Sequence, residues 1–433
     1  MVSSDSDRTV TRPRPWLSLG VLVFAYIGIY LCRKNLSVAV PILQEEWGLS
    51  KERIGLVASI STIAYAVGKV LMGPVIDRLG GRRALLGSMV LVAFFGALGG
   101  FVPGLTALTV VYSANRFAGS ASWGGMVKIV PEWFQQARWP LAFAILSLSF
   151  VFGGALAVAF AGLVAKVSHD NWRLILGAPS LVLLLLALGT WLMLRRSGEA
   201  APPNSPSPEG VVGKDSGFNW RQIPELFRVR QLHVICALSF TLTFLRETFN
   251  FWTVDYLKTE ALGDLPTWKA ALLSTPFDTF GVLGILAMGW LYGRLSHKGR
   301  RWVLFWILLV LSLLLFALPL ATRHGLWAVA TVIGLVGFLA YGPYSLLAGV
   351  LAVEVRGRSY AATVAGLVDG TGYGAGVLAG GYFGHLVSRG GYALGFQTIA
   401  VLMLISAVMA LFLYSGGGDG NTTPPAPDEH ASD

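Results

Sequence analysis

Five cationic side chains stand in stretches of this chain that are otherwise apolar, and any chemistry the protein performs has to account for them. Arg33 with Lys34, Lys69, Arg116 and Arg246 are these five. Where such a stretch crosses a bilayer, a Lys or Arg at its centre costs at least about 2.5–3.5 kcal/mol, so it persists where a counter-charge or a watery cavity meets it. Arginine offers a planar fork of donors that matches phosphate or carboxylate bidentately, whereas lysine acts as a compact point charge. Arg33 belongs to a stripe: Tyr26, Tyr30, Arg33 and Ser37 recur at steps of four, three and four, which places them on one helix face. Tyr65 and Lys69 lie one turn apart in the next apolar stretch, and Glu247 follows Arg246. The acids at comparable depth are Glu247, Asp278 and Asp369, so roughly two positive charges are left for something other than the protein to neutralise. The pattern predicts binding of a small multivalent anion, with tyrosine hydroxyls as neutral donors.

The elements that must carry these residues are membrane helices. The chain has 433 residues, 54% hydrophobic and only 13% charged, with mean hydropathy +0.63, which excludes an ordinary soluble domain of this size. A bilayer core of about 30 Å takes about 20 residues of helix. Twelve stretches of that kind are expected, at 16–41, 53–76, 84–103, 105–129, 138–165, 173–194, 231–256, 267–292, 302–321, 326–350, 359–387 and 392–414. The net charge of +10 is spread over alternate loops rather than gathered in one patch, which argues against nucleic acid and for a positive-inside topology with both termini cytoplasmic. No cleavable signal is expected, because the first apolar run holds Arg33 and lacks a small-residue cleavage site. Cys32 and Cys236 both fall at membrane depth, where a disulfide framework is not expected. The six histidines have no metal-ligand spacing, and neither a metal nor a cofactor is expected.

The chain also repeats itself. Gly73-Pro-Val-Ile-Asp77-Arg78-Leu-Gly80-Gly81-Arg82-Arg83 follows the second stretch, and Gly289-Trp-Leu-Tyr-Gly293-Arg294 followed by Gly299-Arg300-Arg301 comes after the eighth, 216 residues on. Arg33 and Arg246 are 213 residues apart and so hold corresponding positions. Parallel repeats of six helices imply a pseudo-two-fold along the membrane normal with the site at their interface. The expected organisation is a cytoplasmic tail at 1–15, one six-helix bundle at 16–195, a Pro- and Ser-rich cytoplasmic linker at 196–230, a second bundle at 231–415 and a disordered tail at 416–433.

The first of these loops resembles the G-x-x-x-D-R-x-G-R-R signature of the major facilitator superfamily. That resemblance implies an all-α membrane protein with twelve transmembrane helices in two pseudo-symmetric six-helix bundles. A narrower one runs through Tyr30-Leu-Cys-Arg33-Lys34-Asn35, Tyr65 with Lys69, Trp123, Phe244-Leu-Arg246 and Tyr341-Gly342-Pro343. Together these are similar to the organophosphate:phosphate antiporters. The resemblance assigns phosphate binding to Arg33 and Arg246, with Lys69, Tyr26 and Tyr30 assisting and Trp123 and Tyr373 at matching positions, while Lys34 and Arg116 join the expected substrate site by their charge at membrane depth. Asp77, Arg78 and Arg82 would serve gating, and Asp278, Glu247 and Asp369 coupling. Phe150 stands where the glycerol-3-phosphate transporters place a histidine, and Phe251 where they place an acid. Arg116 is similar to an arginine of the anion:cation symporters, but their acidic partner is Trp123 here and their first-helix acid is Cys32. The expected function is that of a transporter, not an enzyme. It would be a monomer among the lipids of the inner membrane, exchanging a small organophosphate or similar organic anion for inorganic phosphate. A proton- or sodium-coupled symporter of an organic acid such as a sugar acid stays open through Asp278 and Asp369, as does a non-transporting sensor of a phosphorylated sugar.

Overall fold

The computed structural model describes residues 15–49, 51–197, 219–257 and 267–414, so the two expected tails and most of the expected linker lie outside the described residues. Among the described residues there is no strand. The first span is Pro15–Lys34 continued by Leu36–Trp47; the second is Lys51–Leu79, the third Gly81–Gly99, and the fourth Leu105–Gly119 continued by Ala121–Trp133. Trp139–Val167 and Trp172–Ser197 complete the first six. The seventh is Arg230–Tyr256, the eighth Thr267–Ser274 continued by Pro276–Tyr292, the ninth His297–Ala321, and the tenth Leu326–Leu347 continued by Val350–Arg356. Ala361–Ala410 holds the last two, which part where Gly390 and Gly391 leave helical geometry.

Ten helices among the described residues are long and apolar enough to cross a membrane. The fourth span and the first part of the eleventh are not in that set, because Asn115 and Arg116 dilute one, and Asp369 with a run of glycines dilutes the other. Both are largely enclosed by neighbouring helices, so protein rather than lipid is their solvent. The outward faces are the reverse. Leu181, Leu185 and Leu188 on the sixth span and Trp306, Leu313 and Leu320 on the ninth stand exposed, a surface suited to acyl chains and unsuited to water.

The two bundles touch along the second and eleventh spans and along the fifth and eighth. Missing side chains allow the approach: a Cβ on Gly73 would come within 2.7 Å of the Thr363 Cα, and one on Gly366 within 2.2 Å of the Lys69 carbonyl oxygen. The signature loop needs a glycine for another reason, since Gly80 holds φ at +87°. In the second copy Ser296 stands there instead and caps the ninth span, its side chain accepting from the Gly299 amide at 3.3 Å. Residues 219–230, expected as linker, dock on the second bundle through the short helices Trp220–Gln222 and Ile223–Leu226. Glu225 pairs with Arg356 at 2.8 Å, and the Asn219 amide donates to the Tyr360 hydroxyl at 3.1 Å.

Candidate functional site

Broken helices position the cations. Arg33 and Lys34 close the helix Pro15–Lys34, and the chain restarts after Asn35, whose amide donates to the carbonyls of Ile175 and Leu176. The break frees the Arg33 carbonyl, which accepts from the Tyr112 hydroxyl at 2.5 Å. Arg116 lies in the last turn of Leu105–Gly119, one turn before the break at Ser120. Helix C-termini carry partial negative charge and favour such cations by about 0.3–1 kcal/mol each.

Above these helix ends a central cavity opens between the bundles, with about 490 Å³ of space between atoms. Both bundles line it: Tyr26, Tyr30, Tyr65, Lys69, Trp123, Ser147 and Phe150 from one, and Ser239, Arg246, Tyr344, Ser345, Asp369 and Tyr373 from the other. Lys69 and Asp369 pair across the bundles at 2.7 Å, and Arg246 pairs with Glu247 at 2.5 Å. The Arg246 guanidinium also lies 4.4 Å from the ring centre of Tyr344 and 5.8 Å from that of Phe150, while its Nε is buried without a partner.

Arg33 is held differently. It donates to the hydroxyls of Tyr30 at 3.4 Å, Tyr65 at 3.3 Å and Tyr373 at 3.0 Å, and no carboxylate pairs with it among the described residues. Its Nε has no partner. Two of the three bonds are longer than the usual range, so they are weak and readily exchanged for a better acceptor. The side chain does not line the central cavity; its tyrosine partners do, and Arg33 itself lines a second space of about 240 Å³ together with Arg116. Expected as facing members of one clamp, Arg33 and Arg246 thus stand on either side of a tyrosine screen. The Arg33 and Arg116 guanidinium carbons lie 4.4 and 4.6 Å from the centre of the Tyr65 ring, which puts them at most about 9 Å apart. At an effective dielectric of about 20 that is a repulsion of about 2 kcal/mol or more. Tyrosine hydroxyls satisfy hydrogen bonds but cancel no charge, so an anion entering here removes a standing repulsion.

Below the cavity, Asp77 closes the bundles on the side of the signature loop. Its buried carboxylate accepts from the Ala362 amide at 3.2 Å and from both the amide and the hydroxyl of Thr363, at 2.7 and 2.6 Å, while Lys128 pairs with it at 3.0 Å. An acid of the first bundle therefore caps the opening turn of the eleventh span. The second loop makes no such charged contact. Gly289 lies against Ala144 and Gly293 against the Ala137 carbonyl, where a Cβ would come within 2.3 and 2.9 Å. Each loop also carries an ion pair inside its own bundle, Arg82 with Glu132 at 3.2 Å and Arg300 with Glu354 at 2.6 Å. Among the described residues, the hydrogen bonds and ring contacts between the bundles lie from the cavity to this side.

Three expected residues stand elsewhere. Lys34 is exposed and lines neither space, and Arg78 is exposed with no ion pair among the described residues. Asp278 accepts from the Tyr341 hydroxyl at 2.6 Å rather than meeting a cation. Trp123 lines the cavity and donates through its indole N–H to the Ala348 carbonyl at 2.8 Å. Sequence reasoning missed Tyr344, Ser147, Ser239 and Ser345 in the wall, and Lys128 at the latch. Tyr344 was findable, being one residue past the Tyr341-Gly342-Pro343 motif.

Two pseudo-symmetric helix bundles around a polar central cavity, closed at one end by a signature loop, define a membrane transporter of the alternating-access kind. The chain belongs to the Major Facilitator Superfamily, whose model matches residues 22–380. It is 26% identical over 429 residues to the glycerol-3-phosphate transporter of Bacillus subtilis, covering 94% of this chain and 93% of the relative. It is also 23% identical over 414 residues to a probable hexose phosphate transport protein of Chlamydia pneumoniae, covering 90% and 89%. Among solved structures, the fucose:proton symporter FucP of Escherichia coli has the same fold. Its TM-score is 0.70 at 14% identity, over 92% of this chain and 99% of that one.

Proposed function

We propose that this chain is a secondary active transporter that carries a small organophosphate or similar organic anion across the inner membrane, in exchange for inorganic phosphate, with both termini cytoplasmic. The observation that carries the reading is Arg33, a half-buried guanidinium held by three neutral hydroxyls and, among the described residues, by no acid. In this reading phosphate displaces those hydroxyls, and Arg33 and Arg246 clamp it with Lys69, while Tyr26, Tyr30 and Tyr373 donate hydrogen bonds. Trp123 and Tyr344 shape the walls. Asp77 and Arg82 hold the cytoplasmic side shut. Glu247, Asp369 and Asp278 are the carboxylates that the cations and Tyr341 exchange as the bundles rock. Exchange follows because an empty carrier keeps its cations uncompensated while it moves, whereas an anion on either side relieves them. The similarity to a glycerol-3-phosphate transporter and a probable hexose phosphate transport protein supports an organophosphate cargo, and the excess of Lys and Arg in the loops on the signature side supports the orientation.

Proteoliposomes test it: uptake of labelled glycerol 3-phosphate is expected to require internal phosphate. Arg33→Lys and Arg246→Lys are expected to abolish exchange with expression intact, and normal exchange in both refutes the clamp. A second reading rests on Asp369, a carboxylate in the cavity wall that a proton could release from Lys69, which suits a symporter of an organic acid. Uptake that collapses with a protonophore and ignores internal phosphate selects it.

A further inference from the structure

The 240 Å³ space beside the central cavity belongs to no single-phosphate clamp. It is lined by Tyr26, Arg33, Tyr65, Asn115, Arg116 and Ser122, all from the first bundle, and shares Tyr26 and Tyr65 with the larger cavity. Two guanidinium groups facing one space are matched to a single charged group of a larger ligand. Arg116 is 8% exposed, and no acid pairs with it among the described residues; its one ring contact is the Tyr65 face that Arg33 also meets. Two of the other polar groups here are committed: Asn115 donates its amide to the Val92 carbonyl at 2.8 Å, and Ser122 its hydroxyl to the Gly119 carbonyl at 2.6 Å. Two guanidinium groups remain open to a ligand, one of them with an unpartnered Nε, and Tyr26, with its hydroxyl, lines the same space.

We propose that this space is a second anion subsite, and that the cargo is an organophosphate bearing a second anionic group such as a carboxylate. The proposal rests on the phosphate-binding reading above. The phosphate occupies the central cavity against Arg246 and Lys69. The carboxylate passes between Tyr26 and Tyr65 to Arg116, and Arg33, at the junction, contacts both groups. The chemistry at the subsite is recognition by charge-assisted hydrogen bonds, with no covalent step. A phosphate ester carrying a neutral hydroxyl at that end leaves Arg116 uncompensated, so the subsite discriminates by charge rather than by size.

The experiment measures binding of three probes to the purified full chain by calorimetry: inorganic phosphate, glycerol 3-phosphate and 3-phosphoglycerate. The wild type is expected to bind 3-phosphoglycerate at least tenfold more tightly than glycerol 3-phosphate, Arg116→Gln to bring that ratio near one, and Arg116→Lys to keep an intermediate ratio. An unchanged ratio in Arg116→Gln, or equal affinities in the wild type, overturns the subsite while leaving the phosphate reading standing. Failure of the wild type to bind any of the three overturns the phosphate reading itself. If Arg116→Gln does not fold, the Arg116→Lys ratio decides the matter: a value equal to that of the wild type in a well-folded protein counts against the subsite. Chloride dependence of melting that Arg116→Gln abolishes, with no change of ratio, assigns the space to a resident inorganic ion and likewise overturns the proposal.

Discussion

Asp77→Asn keeps the shape of the latch and removes its charge. The native carboxylate takes three hydrogen bonds from the eleventh span and an ion pair from Lys128. An asparagine has one acceptor oxygen, so its amide nitrogen faces backbone N–H groups that are themselves donors. At least one charge-assisted bond is lost, worth about 1.5–3 kcal/mol, and a buried amide of Ala362 or Thr363 is left unsatisfied. Once the latch opens, water replaces these partners in both proteins, so the loss falls on the closed state alone. A destabilisation of about 2 kcal/mol shifts the open-to-closed ratio by about thirtyfold. The assay uses a cysteine in place of Ser147, which lines the cavity, in a background free of Cys32 and Cys236. Labelling by a membrane-impermeant maleimide from the signature-loop side is expected to rise more than tenfold in Asp77→Asn and to be slow otherwise. Equal labelling rates in the two proteins would show that glycine packing around Gly73 and Gly366, not the acid, holds this side closed.

Removing one partner of the Lys69–Asp369 pair leaves a buried charge, a loss of about 3–5 kcal/mol, so Lys69→Gln and Asp369→Asn are each expected to lower the melting temperature. The double variant is expected to recover more than half of that loss, and additive losses would mean that the two residues do not act as a pair. Gly366→Ala puts a methyl 2.2 Å from the Lys69 carbonyl, so it is expected to cut exchange at least tenfold and to lower the melting temperature; wild-type exchange and melting would refute the tight approach of the second and eleventh spans.

Charge at membrane depth was legible in the sequence because few other features make a polar residue worth keeping there. The repeat and the signature loop were legible because loop and arginine recur at nearly equal offsets, 216 and 213 residues. What spacing within one stretch cannot tell is which of two adjacent residues faces the neighbouring helix. Successive residues point about 100° apart, so Arg33 reaches the tyrosines while Lys34 is exposed, and Asp77 is buried in the latch while Arg78 is left outside. Counting acids against cations went astray for a related reason: Asp278 entered the count by its depth, whereas it is engaged by Tyr341. The tyrosine partners of Arg33 come from the first, second and eleventh spans, and no single-chain periodicity connects those three.

The helix breaks show why so much polarity can be held here at all. A continuous helix satisfies its own backbone and offers a ligand only side chains, whereas a broken one frees carbonyls that must be met. In this protein the freed carbonyls are met by side chains from other helices: Arg33 by Tyr112, and Ala348 by Trp123. The second of these crosses from one bundle to the other, so the end of a helix in the tenth span is tied to a residue in the cavity wall of the fourth. Trp123 therefore touches the central cavity on one side and the closed interface on the other. A ligand that moves this indole disturbs both with the same displacement, which gives occupancy of the cavity a direct mechanical route to the contact between bundles.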